Sequence, residues 1–460
     1  ILASGGTTIC GLSMMLLAEL VPSQNAGKFL APVLAVSLMA ALTLAPAMAR
    51  LMGRGLFWPM GLRHHANLGE RFVWPVMASL VTRRPRTVLL VGLLLLGIPA
   101  VLAIRLTPRF DSLSELPAGS PSDRGFKLLN AHFPVGQLFS SQLIFEFDAL
   151  PDEQALSRVS REVTDRLRQL PGVADVYSLS EPLGQSAVGS ALLDAVVARM
   201  GRRFYVSDAL HVLRFEILIE PAPFSAEAMA LIEQSRSVAG EYIAGMGDTL
   251  GPARPLVAGF TPYIIDVRAI SGSDQARVMS LATVVIGLVV LALVRDLPLT
   301  LFMLLATWLT YGATLTFSDF FFTQVLHQGG LDWKVRLIVF VIVVAVGQDY
   351  NLFLVSRLLH ELRDRDERDA TRRAVITTGS VISSCGIIMA ATLGSLWVGG
   401  LSLLRQVGFT LALGVLLDTF LVRPLLVPSF FLAAGRARRH RPCLSAGRGS
   451  NVHEAEADLE

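Results

Sequence analysis

Charge is almost absent from several blocks of about 20 residues, and no other feature limits the possible folds as strongly. At 1.5 Å rise per residue, a helix of about 20 residues crosses roughly 30 Å of hydrocarbon. Of the 460 residues, 52% are hydrophobic and only 17% charged, where a soluble domain carries about a quarter charged. The deficit sits in the blocks. An ordinary soluble globular fold is excluded, and so is a disordered chain.

Eight spans can be marked: Ile1 to Leu20, Lys28 to Met52, Arg86 to Ile104, Val278 to Val294, Leu297 to Phe317, Val335 to Ser356, Ala374 to Leu396 and Leu404 to Leu432. Pro22 and Ser23 break the first from the second, and Asp296-Leu297-Pro298 makes a tight turn into the fifth. The chain begins with Ile inside an apolar block, so it is read as an N-terminally incomplete piece of something longer. The expected fold is a polytopic α-helical membrane protein with one exterior α/β domain.

Arginine placement sets the orientation. Arg50, Arg54, Arg63, Arg71, Arg83, Arg84 and Arg86 follow the second span against one acid, Glu70. Arg357, Arg363, Arg365, Arg368, Arg372 and Arg373 follow the sixth, and Arg436, Arg438, Arg439 and Arg441 stand in the tail. An alternating path puts all three on one side, which the positive-inside rule names cytoplasmic. The insert from Arg105 to Asp274, with 15 Lys and Arg against 21 Asp and Glu, then lies outside. The expected division is residues 1–52 as two spans, 53–85 as a cytoplasmic linker, 86–104 as a span, 105–274 as the exterior domain, 275–434 as a five-helix bundle and 435–460 as a disordered tail.

Within the insert, Gln142 to Phe147 and Val212 to Ile219 alternate as strands, with further strands at Val173 to Leu179 and Pro255 to Phe260. Helices are read at Asp152 to Leu170, at Ala187 to Met200 and from Ser225 to about Met246. This pattern predicts a two-layer βαβ-type sandwich. A weak repeat is also visible: Ser4 to Gly11 (SGGTTICG) matches Gly379 to Gly386 (GSVISSCG), each opening an apolar span. Repeated halves are a common way to build transporters.

Ionisable groups inside spans carry the chemistry, because each costs about 2.5–3.5 kcal/mol or more at the bilayer centre. Asp349 lies in Gly347-Gln348-Asp349-Tyr350-Asn351 of the sixth span, about 12 Å along a helix from Arg357. One reading is a carboxyl that takes up and releases a proton in each transport cycle, with Tyr350 as a hydroxyl relay. The other is a structural acid satisfied by a Tyr or Thr on the next helix. Gly347 is read as a point of close helix approach.

The eighth span holds Asp418 and Arg423, five residues apart. That spacing is poor for a direct α-helical ion pair. Arg423 is therefore expected to snorkel towards the headgroups and Asp418 to meet another helix, in a structural role. Thr300, Thr307, Thr310 and Thr314, with Thr377, Thr378, Ser380, Ser383 and Ser384, offer hydroxyls that serve equally as packing glue.

No phosphate loop, zinc-site pair or nucleophile elbow is present, and Cys10, Cys385 and Cys443 have no metal-ligand spacing. No enzyme and no bound cofactor are expected. A proton gradient is the expected energy source. The basic tail is read as meeting anionic headgroups rather than nucleic acid.

Gly347 to Leu354 followed by Ser356-Arg357 resembles the Gly-x-Asp-Tyr motif of the MMPL family in the resistance–nodulation–division superfamily. Leu417 to Arg423 with Pro428 is similar to that family's last-helix pattern. Leu116 to Pro121 and Phe57-Trp58-Pro59 match as well. The resemblance implies twelve spans in two pseudo-symmetric halves, each with an exterior porter domain of ferredoxin-like type. By it, this chain lacks the first four spans and the first porter domain. It implies a bacterial inner-membrane exporter of lipids or other hydrophobic cargo, driven by proton influx through Asp349 and Tyr350, with the matching relay on the missing half. Its partners would be that cargo, the membrane and the missing half, with a homo-oligomer left open. A protein-export accessory or a sterol-sensing binding protein on the same scaffold is the alternative.

Overall fold

The structure, a computed structural model, describes residues 2–53, 55, 73–111, 116–117, 119–133, 138–184, 201–246 and 252–435. The predicted helix Ala187 to Met200, the Phe57-Trp58-Pro59 segment, Arg54, Arg63 and Arg71, and the tail from Arg436 lie outside them. Two compact units divide at Arg109/Phe110 and at Gly272/Ser273.

The chain opens with α1 (Leu2–Ser13), which tightens into a 3-10 turn at Met14–Leu17. The predicted first span, Ile1 to Leu20, is therefore a shorter helix. Ala18 turns extended, and α2 (Val21–Met52) starts afresh with Pro22 in its first turn, where the missing N–H is not needed. The junction is pinned: Asp274, 1% exposed, accepts from the backbone N–H of Glu19 and of Leu20, both at 2.8 Å. The Glu19 side chain pairs with Arg277 at 2.9 Å. α3 (Trp74–Arg83) is a short amphipathic helix, and α4 (Pro85–Leu102) follows after Arg84.

The second unit contains α5 (Pro121–His132), β1 (Ser141–Phe147), α6 (Glu153–Arg168), β2 (Val173–Tyr177), β3 (Val206–Ser207), β4 (Val212–Ile219), α7 (Ala226–Gly245) and β5 (Ala253–Gly259). The sheet order is β2-β4-β1-β5, antiparallel throughout, with β3 on β4. Helices after β1 and after β4 make this a ferredoxin-like arrangement. The alternation of β1 places Leu143, Phe145 and Phe147 on one face, where Leu156, Val159, Val163 and Leu167 of α6 share their core. Asp152 and Ser225 cap α6 and α7 by accepting from Ala155 and Ala228.

The chain then forms α8 (Phe260–Val294), α9 (Leu297–Phe320), α10 (Trp333–Glu361), α11 (Glu367–Gly394) and α12 (Ser402–Leu417). A π-helical stretch, Asp418–Leu426, leads into α13 (Val427–Ala433). The predicted span Val278 to Val294 is only the later part of α8. Asp266, Arg268 and Asp274 interrupt its hydropathy without breaking the helix. Asp296 and Asp332 cap α9 and α10.

Among the described residues, seven helices are long and apolar enough to cross a membrane, joined by the shorter apolar segment Gly5–Leu17. α9 and α10 form the centre, with Met303, Ala306, Val339 and Phe340 fully enclosed. On α2, by contrast, Phe29, Val33, Val36 and Met39 are each more than half exposed. Water does not tolerate such a surface, and hydrocarbon does. The chain is a multi-pass membrane protein.

Candidate functional site

The helical period of α10 splits its polar motif between two sides. Val344, Gly347, Gln348 and Asn351 are buried in the bundle, while Val346, Asp349, Tyr350, Phe353 and Val355 line a cavity of about 580 Å³. Leu293, Val294, Val381 and Met389 from α8 and α11 complete its apolar wall.

Asp349 is gripped from α1. The Thr7 hydroxyl donates to Oδ1 at 2.7 Å and the Thr8 hydroxyl to Oδ2 at 3.2 Å. Both are hydrogen bonds to a charged acceptor when the carboxyl is ionised, the stronger class. Neither threonine was singled out from sequence, since more than 300 residues separate them from Asp349. The signal was the weak repeat. Thr7 and Thr8 lie in its first copy, and Cys385, in its second, sits at the Tyr350 hydroxyl. The two copies thus touch adjacent residues of α10.

Asp418 and Arg423 correct the sequence reading. They form a direct ion pair, and Arg423 is 1% exposed rather than snorkelling to the headgroups. The spacing rule applied to an α-helix. In a π-helix the backbone bonds run from i to i+5, which puts residues five apart on one side. The Arg423 guanidinium also lies over the Tyr350 ring, 4.3 Å from its centre, and donates to Thr419 Oγ1 at 3.4 Å. Tyr350 and Asp418 are thereby joined through one arginine.

Gly347 is less demanding than expected. A Cβ there would stand 3.6 Å from Asp418 Oδ2 and from Thr307, ordinary contact, so close helix approach does not require the glycine. Beside it Gln348 donates to Thr307 Oγ1 at 2.8 Å. Asn351 is fully buried, and neither its amide oxygen nor its nitrogen has a partner among the described residues. Asp418 Oδ1, Gln348 Oε1 and Arg423 Nε are likewise buried without partners. Such groups are costly in a low-dielectric interior, and several of them gather around α10. The threonines of α9 mostly bond back to their own helix, as Thr300, Thr307 and Thr310 do. Of these, Thr307 is the one that also receives a bond from another helix.

The model of the MMPL family matches residues 1–88 and 114–448. A Streptomyces coelicolor membrane protein, SCO5905, is 31% identical over 95% of this chain and 48% of its own length. The apo-petrobactin exporter of Bacillus anthracis is 26% identical over 95% of this chain and 56% of its own. The sulfolipid-1 exporter MmpL8 of Mycobacterium tuberculosis is 33% identical over 51% of this chain and 21% of its own. The hedgehog release protein Disp from the water bear Hypsibius dujardini shares the fold, with a TM-score of 0.58 at 14% identity over 94% of this chain and 58% of its own. The chain spans about half the length of the relatives it matches.

Proposed function

The chain belongs to the MMPL family, and from that premise we propose that it exports lipids or other hydrophobic molecules across a bacterial inner membrane, driven by proton influx. It acts as a secondary transporter, with the ferredoxin-like unit on the exterior side and the arginine-rich turns in the cytoplasm. Asp349 takes the proton and Tyr350 serves as its relay.

The observation that carries this reading is the setting of Asp349. A carboxylate with a purely structural task would be satisfied by Thr7 and Thr8 and closed off. This one also faces a cavity of about 580 Å³ walled by apolar side chains. It has donors on a separate helix to hold its ionised form and open space on the other side. Protonation removes the charge that those donors stabilise, which loosens α1 from α10. Coupling between proton and cargo then has a physical route, because part of what holds the two helices together depends on the charge of that carboxylate. The export of petrobactin and of sulfolipid-1 by relatives supports hydrophobic or amphipathic cargo.

Replacing Asp349 by Asn keeps the shape and removes the charge cycle. Cells carrying D349N should accumulate an envelope lipid or siderophore on the inner side while the protein level stays normal. Unchanged export in that strain would remove the proton role, and a lost secreted protein with normal lipids would turn the reading towards protein export.

A further inference from the structure

We infer that Trp74 is the side chain that closes the proton path between the Asp349 site and the arginine-rich face. This rests on the proton-driven reading above. Trp74 opens α3 and is 2% exposed, although its neighbours Val73 and Val76 are open to the surroundings. Its ring lies on Gly379 of α11 so closely that a Cβ there would stand 2.4 Å from it. Any larger residue at 379 would displace the indole.

The ring borders a small void of about 10 Å³, room for a single water at most. Leu354, Thr378, Thr419, Arg423 and Pro424 share its wall. Arg423 is thus bounded on one side by the Tyr350 ring and on the other by this void, and its Nε has no partner among the described residues. Leu354 stands one turn before Arg357, which pairs with Glu361 at 2.6 Å. Arg365 holds the same Glu361 at 3.1 Å; Arg357 is half-buried and Arg365 exposed. Tyr350, Arg423 and the void thus follow one another, and Leu354, on the wall of the void, stands one turn from the charged cluster at the end of α10. The apolar wall of the void is made by Trp74, Leu354, Val375, Ile382 and Pro424, of which Trp74 alone comes from the short helix α3.

A proton leaving the Asp349 carboxyl leaves a carboxylate and must be taken up by water as hydronium. With the indole seated, water is too scarce to carry it, and the Arg423 charge opposes it. Withdrawing the indole admits several waters at about 30 Å³ each, which solvate Arg423 and give the proton an exit. Asp418, Arg423, Tyr350 and Cys385 face this path from their several helices, and Glu361 closes it.

The test uses the intact protein in phosphatidylethanolamine–phosphatidylglycerol vesicles, with a pH dye inside and a potassium–valinomycin potential. Trp74→Ala should raise cargo-independent proton entry several-fold over the wild type, and Trp74→Phe should restore the wild-type rate. The Trp74→Ala, Asp349→Asn double variant should lose the excess. A Trp74→Ala rate equal to wild type overturns the inference, as does an excess that survives Asp349→Asn. In either case D349N losing export in cells leaves the proton-driven reading standing, and D349N exporting normally removes both. Should Trp74→Ala fail to insert, Trp74→Leu takes its place with the same expected excess.

Discussion

Asp418 and Arg423 pair across five residues because the helix between them is wound one residue wider than an α-helix. The pair is buried, and removing one member leaves the other charged in a dry interior. Asp418→Asn or Arg423→Met alone should destabilise the protein by about 3–5 kcal/mol. The double variant Asp418→Leu, Arg423→Met should recover much of that loss while export stays impaired. Thermal unfolding in detergent, beside an export assay, reads both. A double variant whose loss equals the sum of the two single losses would show that the pair contributes nothing as a pair.

Thr7 is expected to matter through its hydroxyl rather than its bulk. Thr7→Val deletes a hydrogen bond to a charged acceptor, a class worth about 1.5–3 kcal/mol, and should cut export by an order of magnitude or more. Thr7→Ser should stay near the wild type. Export rates at matched expression decide it, and a Val variant as active as the Ser variant would detach Thr7 from the site.

Gly312 of α9 meets Ala100 of α4 backbone to backbone, with a built Cβ only 2.8 Å from the Ala100 Cα. Neither helix has a flexible side-chain end to give way. Gly312→Ala should therefore cost about 1–3 kcal/mol by overpacking. Gly347→Ala, in ordinary contact, should cost far less, and comparing the two melting temperatures checks the contrast.

In the ferredoxin-like unit, burial pushes the Tyr242 hydroxyl up to about 12, assisted by the nearby charge of Glu162. The neutral form is favoured in the folded state, so this contribution is complete below the ordinary tyrosine value near 10 and is lost as pH rises through the folded value. Melting temperature should fall between pH 10 and pH 12 in the wild type, and less steeply in Tyr242→Phe. Parallel pH profiles of the two proteins would deny Tyr242 that role.

What could be read from sequence followed the rules that govern single helices and strands. Apolar length exposed α2, α4 and α9 to α12, alternation exposed β1 and β4, and an acid inside an apolar block exposed Asp349. The errors came where one rule was carried past its geometry. The five-residue gap between Asp418 and Arg423 was judged on an α-helix, and nothing local announces a π-helical turn beyond Pro424 inside it. The early part of α8 was missed because its charges hide a helix that hydropathy alone does not detect. The grip of Thr7 and Thr8 on Asp349 is a tertiary contact between distant segments, which periodicity does not encode. Trp74 carries no motif, and its place is set by the absence of a side chain at Gly379.

The carboxylate of Asp274 fastens the elbow between α1 and α2 to α8 through two backbone amides. Sliding α1 along its axis would break both bonds, whereas a swing about the elbow keeps them. A stroke that frees Thr7 and Thr8 from their acid is then an arc about that elbow, and a tug on α8 shifts the pivot itself.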